Sequence, residues 1–271
     1  KKLLSNIWAL GDTKVKLNNV SEFPVAQFFY YDLEADFETD NNCSVVKASQ
    51  LNSIELTEDE KVTGCFDWHD YIQDENALDK YPHIKEWFPI SPKKWRELGL
   101  DINKSKAQFR AVSKFNFFVK FATIKDKIRR KLFNLKIDIA QEQSLNRMGL
   151  TTDLSRPRIV VITSSAGVTG SGAFIDMGYL ANFLAQQEGI QVDVELMLFM
   201  PTAYAVVNQN GTQANAYAAL MELEAAMRGN NAFVGRWNNS DCPVLGSMPY
   251  SEVYLLDNSN LAKQHLRNIE N

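Results

Sequence analysis

The sequence predicts an α/β fold: a doubly wound, mainly parallel sheet with helices on both faces. Three observations predict it. Short apolar runs at residues 158–164, 191–200 and 252–256 read as strands. Between them lie segments 173–187 and 213–228, the second rich in alanine and leucine, which favour helix. Strands that alternate with helices form parallel sheets, and such sheets bind ligands beyond the carboxyl ends of their strands. Three polar segments fall at such ends: an acidic tip after residue 31, a glycine loop after residue 164, and Asp257-Asn258 after residue 256.

The first strand is expected at residues 24–31, an apolar and aromatic run that reads as buried. The tip Asp32-Leu33-Glu34-Ala35-Asp36 follows it. Residues 37–103 lack periodicity, hold Trp68, Trp87 and Trp95, and are interrupted by Pro89 and Pro92. They read as an insertion of short helices anchored by aromatics. Residues 106–135 read as one long helix, in which Phe109, Val112, Phe117, Val119, Phe121, Ile124, Ile128 and Leu132 recur at mixed spacings, mostly three and four. Its bases, Lys106, Arg110, Lys114, Lys120, Lys125, Lys127, Arg129, Arg130 and Lys131, offer a surface for an acidic partner along 106–131, or a solvated face. A short amphipathic helix is expected at residues 1–10, and a last helix from about Asn260.

Composition narrows the function. Of 271 residues, 45% are hydrophobic and 23% charged, which argues for a folded core over disorder. The net charge of -4 and the lack of stacking aromatics on a basic sheet disfavour nucleic acid. No apolar run reaches the roughly 18 residues that span a bilayer. Three cysteines, Cys43, Cys65 and Cys242, lie far apart and suggest reduced thiols in a cytoplasmic setting. No Cys and His pair has metal-ligand spacing.

The strongest local signal is Ala166-Gly167-Val168-Thr169-Gly170-Ser171-Gly172, between a strand and a helix. Small residues let backbone approach a ligand, and a helix N-terminus offers free N–H groups and a positive dipole end. Thr169 and Ser171 add hydroxyls. The competing reading is a tight turn with close helix packing. The loop is no Walker A motif, since no Gly-Lys-Ser/Thr follows. A dehydrogenase reading fails on order, because the one Tyr-x-x-x-Lys pair, Tyr81 and Lys85, precedes the loop.

These residues resemble the tubulin/FtsZ superfamily, and prokaryotic tubulin-like proteins in particular. Val168-Thr169-Gly170-Ser171-Gly172 resembles the tubulin signature Gly-Gly-Gly-Thr-Gly-Ser-Gly. Asp32-Leu33-Glu34 is similar to the tubulin Asp-Leu-Glu near the nucleotide phosphates and magnesium. Leu256-Asp257-Asn258 is similar to Ile-Asp-Asn, whose asparagine reads guanine. Residues 215–224 resemble the helix before that strand, and Gln108-Phe109-Arg110-Ala111-Val112 resembles the segment Gly-Ala-Gly-Gln-x-Arg-Ala. The match runs in order along the chain, with 37–103 poorly covered.

The resemblance implies GTP or GDP with Mg2+, and a head-to-tail oligomer or filament in which hydrolysis occurs only at subunit interfaces. Residues 166–172 would hold phosphates, Asp32 and Glu34 would act through the metal, and Asn258, with Glu222, would meet base or ribose. For Asn258 the competing role is a helix cap. For Glu34 and Glu222 it is a solvated charge. No catalytic residue is assigned; the missing acid is expected from a neighbouring subunit. The family's first glycine-rich loop is expected before Lys1 and its C-terminal domain beyond Asn271. Two departures stand out. Ser105-Lys106-Ala107 replaces a Gly-Ala-Gly loop, and Ala166 and Val168 stand where glycines are usual. Valine disfavours positive φ, so a weakened cradle is expected, and with it an alternative function as a structural or interaction module.

Overall fold

The computed structural model describes residues 26–33, 56–67, 71, 73–97, 109–135, 143, 146, 157–203, 209–229, 232–240, 243–246 and 248–258. The expected helices at 1–10 and beyond Asn260, Glu34, Trp68, and the 105–107 segment lie outside them. In chain order the elements are β1 (Tyr30–Tyr31), β2 (Lys61–Val62), a 3-10 turn at Ala77–Lys80, α1 (Pro82–Lys85), α2 (Pro92–Glu97), α3 (Arg110–Val119), α4 (Phe121–Asn134), β3 (Arg158–Ser164), α5 (Val168–Gln187), β4 (Asp193–Phe199), a 3-10 turn at Pro201–Ala203, α6 (Gln209–Met227), β5 (Phe233–Val234), β6 (Val244–Leu245) and β7 (Glu252–Leu256).

The main sheet is parallel, in the order β3-β4-β7. Its register runs Ile162 to Met197 to Tyr254 and ends with Ser164 beside Phe199 beside Leu256, so the three carboxyl ends are level. β1 and β2 pair in parallel, and β5 and β6 pair antiparallel, as separate two-stranded sheets. The fold is mixed α/β with a parallel sheet, as expected, and among the described residues two details differ from the expected picture. The strand at 24–31 narrows to Tyr30–Tyr31 among the described residues, half-buried. And among the described residues helices pack on one face of the sheet: α3, α4 and α6 gather on α5, while Val160, Ile162 and Tyr254 on the other face are 39%, 64% and 43% exposed. β3 therefore alternates outward and inward, as a strand with one wet face does.

The core is built around α5. Phe174, Tyr179, Leu180, Leu184 and Ala185 are buried, so the helix is apolar nearly all round and acts as a central rod. At its C-terminus Gly189 takes φ +67°, the Gly189 N–H bonds the Gln186 carbonyl at 3.0 Å, and the Ile190 N–H bonds the Ala185 carbonyl at 2.9 Å. A left-handed glycine followed by these two bonds ends a helix cleanly.

The single helix expected over 106–135 is broken at Lys120 (φ −91°, ψ 8°) into α3 and α4. Neither proline nor glycine causes the break. Phe115, Phe117, Phe118 and Phe121 are all buried, which draws more than one face of the chain inward. The Lys120 ammonium meanwhile donates to the carbonyls of Thr63, at 2.6 Å, and Gly64. Burial lowers its pKa. Around α3 an aromatic cluster joins Phe66, Tyr71, Phe88 and Phe115, and Trp95 lies tilted against Phe88 at 5.1 Å. These contacts hold the short helices of the 73–97 region against the core.

Candidate functional site

The site lies at the level carboxyl ends of the main sheet. At the end of β3 the Ser165 N–H donates to the Phe199 carbonyl at 2.9 Å, and the Ala166 N–H donates to Ser164 Oγ at 3.0 Å. Gly167 then caps α5 in extended conformation (φ −79°, ψ 162°) with no side-chain capping bond. The helix thus begins at Val168, not near residue 173. The first amides of any α-helix lack an intrahelical acceptor. Here those are the N–H groups of Val168, Thr169 and Gly170, ahead of the Ser171 N–H that closes on the Gly167 carbonyl at 3.2 Å.

The glycines divide by role. A Cβ on Gly170 would lie 2.2 Å from Thr163 Oγ1 and 2.7 Å from the Ser164 carbonyl oxygen. A Cβ on Gly172 would lie 2.3 Å from the Arg110 carbonyl oxygen and 2.8 Å from Ser113 Cβ. Both glycines let α5 press against its neighbours. Gly167 has nothing within 4 Å of its Cβ position, so its side faces open space. Val168 is helical, so the expected conflict between valine and a positive φ does not arise: the positive-φ glycines among the described residues are Gly64, Gly189 and Gly229.

Both hydroxyls of the loop are engaged. Ser171, buried, donates back to the Gly167 carbonyl. Thr169 Oγ1 donates to Asp32 Oδ1 at 2.7 Å. Asp32 arrives there along a fixed path. The Asp32 N–H continues the β1–β2 pairing to the Val62 carbonyl at 3.1 Å. Tyr30 OH donates to Asp32 Oδ2 at 2.6 Å. Tyr31 OH donates to the Ser113 carbonyl at 2.9 Å, which binds β1 to α3. The fully buried Asn116 donates to Tyr31 OH at 3.1 Å and accepts from the Phe66 N–H at 3.0 Å. Burial holds the Tyr31 phenol well above its ordinary pKa, so it stays a neutral donor.

Three further residues frame the loop. Asn215 on α6, buried, donates to the Ala166 carbonyl at 3.1 Å. Ser113 Oγ donates to the Thr169 carbonyl at 2.7 Å. Arg110 bridges Ser171 and Glu222. Sequence reading does not reach Asn215 or Ser113 as site residues; the polar positions on otherwise apolar helix faces are the signal that marks them.

Asn258 follows β7, two strands from the loop, roughly 10 Å at ordinary strand spacing. The Met200 N–H bonds the Leu256 carbonyl at 2.8 Å, and Thr202 Oγ1 donates to Asp257 Oδ1. The Asn258 N–H caps onto Asp257 Oδ1 at 2.6 Å. The structure therefore sets Ala166 to Gly172, Asp32 and Asn258 along one edge. Glu222 faces Arg110, and Glu34 lies outside the described residues. Among the described residues no cluster of three His, Cys, Asp or Glu side chains forms a metal centre. A magnesium ion bound through phosphates needs only one or two carboxylates, and Asp32 is one hard oxygen donor at the loop.

Lys106 lies outside the described residues, and several of the other bases expected to meet an acidic partner have partners within the chain. Lys114 pairs with the buried Asp176 at 3.3 Å, Arg129 with Glu188 at 2.9 Å, and Arg130 and Lys131 with Asp59 at 3.0 and 2.7 Å. Lys127 donates to the Lys61 carbonyl at 2.8 Å. Their spacing serves intramolecular contacts. Among the described residues no helix is long and apolar enough to cross a membrane.

With this geometry in place, the relationship is direct. The chain belongs to the tubulin-like family, whose sequence profile matches residues 5–271. No curated protein and no solved structure matches it.

Proposed function

We propose that this chain is a GTP-binding subunit of a tubulin-type filament. The single observation that carries the reading is the 2.7 Å contact between Thr169 and Asp32. These residues are 137 positions apart. Each belongs to a motif that the resemblance ties to the phosphate and magnesium end of a nucleotide. The amides of Val168, Thr169 and Gly170 would receive phosphate oxygens, aided by the dipole of a 20-residue helix. Asp32 would hold magnesium, which when bound neutralises phosphate charge. Asn258, with one acceptor and two donors, would read the guanine edge. Glu34 would share the metal, and the chain would associate head to tail, a heterologous contact that propagates. Hydrolysis would need an acid from the next subunit.

A thermal-shift comparison of GTP, GDP, ATP and NADP tests this. A ligand at 100 times its Kd adds about 2.7 kcal/mol. GTP and GDP should raise the melting temperature more than ATP, and NADP should not raise it. Equal shifts with GTP and ATP would remove the guanine assignment. One observation favours the second reading, a tubulin-like structural module: both loop hydroxyls are already bonded to protein oxygens. No shift with any nucleotide, magnesium present, would decide for it.

A further inference from the structure

Arg110 stands where α3, α5 and α6 meet. It is the first residue of α3, and only 14% of its side chain is exposed. Its Nε and Nη2 donate to the Ser171 carbonyl at 3.2 and 2.5 Å. Its Nη1 and Nη2 donate to the two carboxylate oxygens of Glu222 at 3.1 and 2.6 Å, a two-pronged pairing that fixes the plane of the guanidinium. Its own carbonyl oxygen sits where a side chain on Gly172 would go. One turn further along α3, Ser113 holds the Thr169 carbonyl. So α3 grips the first turn of α5 from its carbonyl side, at residues 169, 171 and 172. The amides of Val168, Thr169 and Gly170 lie at the turn's other end.

We propose that Arg110 is the positioning residue of the phosphate cradle, and that Glu222 is its counter-ion, holding the guanidinium on the Ser171 carbonyl, rather than a ribose ligand. The inference rests on the nucleotide reading of the loop. A guanidinium with most of its N–H groups engaged by protein orients the turn and does not reach phosphate itself. Glu222, 57% exposed, owes its fixed position to Arg110. Two consequences separate this from other roles. Loss of either partner should weaken ligands that carry phosphate and spare those that do not. And the loss should not depend on ribose hydroxyls.

The test is isothermal titration of GDP, 2′,3′-dideoxy-GDP and guanosine into the wild-type chain, Arg110→Ala, Glu222→Gln and the double variant, with amide hydrogen exchange of residues 168–172 in nucleotide-free protein. Each single variant should bind GDP about tenfold more weakly, the scale of one charge-assisted hydrogen bond. Dideoxy-GDP should weaken by the same factor and guanosine should be unchanged. The double variant should be no worse than Arg110→Ala, because both substitutions remove one device. Exchange in the first turn should quicken in both single variants. Guanosine and GDP falling together would overturn the proposal, since that marks general damage. So would tighter GDP binding by Glu222→Gln, which would make Arg110 a phosphate ligand that Glu222 restrains. A loss confined to ligands with ribose hydroxyls would return Glu222 to the ribose. Should the wild-type chain bind no GDP, the nucleotide reading falls, and exchange alone decides the grip: faster exchange supports it and unchanged exchange overturns it.

Discussion

At the end of β3 the chain packs so closely that a Cβ on Gly170 or Gly172 would collide with its neighbours, and both loop hydroxyls have protein partners. At the end of β7, two strands away, Asp257 is exposed and Asn258 half-buried, and among the described residues the contacts are a capping N–H, one threonine hydroxyl and the Met200 N–H on the Leu256 carbonyl. The two ends sit level on one sheet, so the backbone treats them alike. What differs is how far each is braced from behind. The β3 end is held by α3, α6 and β1; the β7 end among the described residues is held by the turn at Pro201–Ala203. A braced amide array suits a charged group whose geometry does not vary. A lightly braced side chain suits a base edge, where selectivity comes from pairing.

The largest effect should come from disturbing the braced end. Gly172→Ala places a methyl against the Arg110 carbonyl, which is helix backbone and cannot turn aside. We expect a cost of up to about 3 kcal/mol, the range of overpacked sites, read as a lower melting temperature and lost GDP binding. Gly167→Ala meets open space at an ordinary φ and should leave stability nearly unchanged. Similar melting temperatures for the two variants would mean that the ends are not braced differently. Next in size is Asn258→Ala. It should leave the melting temperature in place and remove the preference for guanine over adenine nucleotides, a change of about 1.4 kcal/mol or tenfold. Retained preference in that variant would move base recognition elsewhere.

How much of this was legible in the sequence follows the same division. β3 and β7 coincide with the expected runs because a β-rich segment between turn residues has few other uses. The meeting of Asp32 with Thr169 was foreshadowed by motif order. The start of α5 was not legible: glycine is a poor helix former, so 167–172 reads as loop, and only the closeness of β3 and α3 makes glycine the residue that fits. Nor was the break at Lys120, which follows from carbonyls of Thr63 and Gly64 distant in the chain. The row of bases on α3 and α4 could not be assigned a partner from sequence for a like reason. Charge is visible in sequence, while the partners that engage it, such as Asp59 and Asp176, come from other segments. Among the described residues Val160 and Ile162 are exposed, whereas the run of apolar residues in β3 suggests burial on both sides.

A smaller effect sharpens the account of the braced end. Val168 departs from the family glycine yet occupies the first helical position with negative φ. Val168→Gly should therefore not tighten GDP binding. It should cost something under about 1 kcal/mol, the helix penalty of glycine, seen as an affinity equal to or weaker than wild type by titration. Tighter binding would show that the valine does obstruct the amides.

The smallest effect lies away from both ends and serves as a control on them. His83 in α1 is buried, and its Nδ1 lies 2.6 Å from Asn239 Oδ1. Asn239 Nδ2 donates to the Lys80 carbonyl at 3.2 Å, which turns its oxygen toward the ring and makes Nδ1 the donor. Burial lowers the imidazole pKa below its ordinary value, and the asparagine bond offsets this in part. The unfolded chain then binds the proton more readily than the folded one. Stability from this group is present above about pH 6.5 and is lost as pH falls below that and through the folded pKa. Asp59 is lowered from the carboxylate range by its bond to Lys131, so its contribution fades only at more acid pH and does not overlap. The melting temperature of the wild-type chain should fall from pH 7 to pH 5, and His83→Gln should flatten that fall without changing GDP affinity at pH 7. An equal fall in both proteins would place the acid sensitivity elsewhere. A loss of GDP affinity in His83→Gln would mean that the aromatic region around α1 braces the nucleotide edge as well, and that the contrast between the two strand ends reaches further into the molecule than α3 and α6.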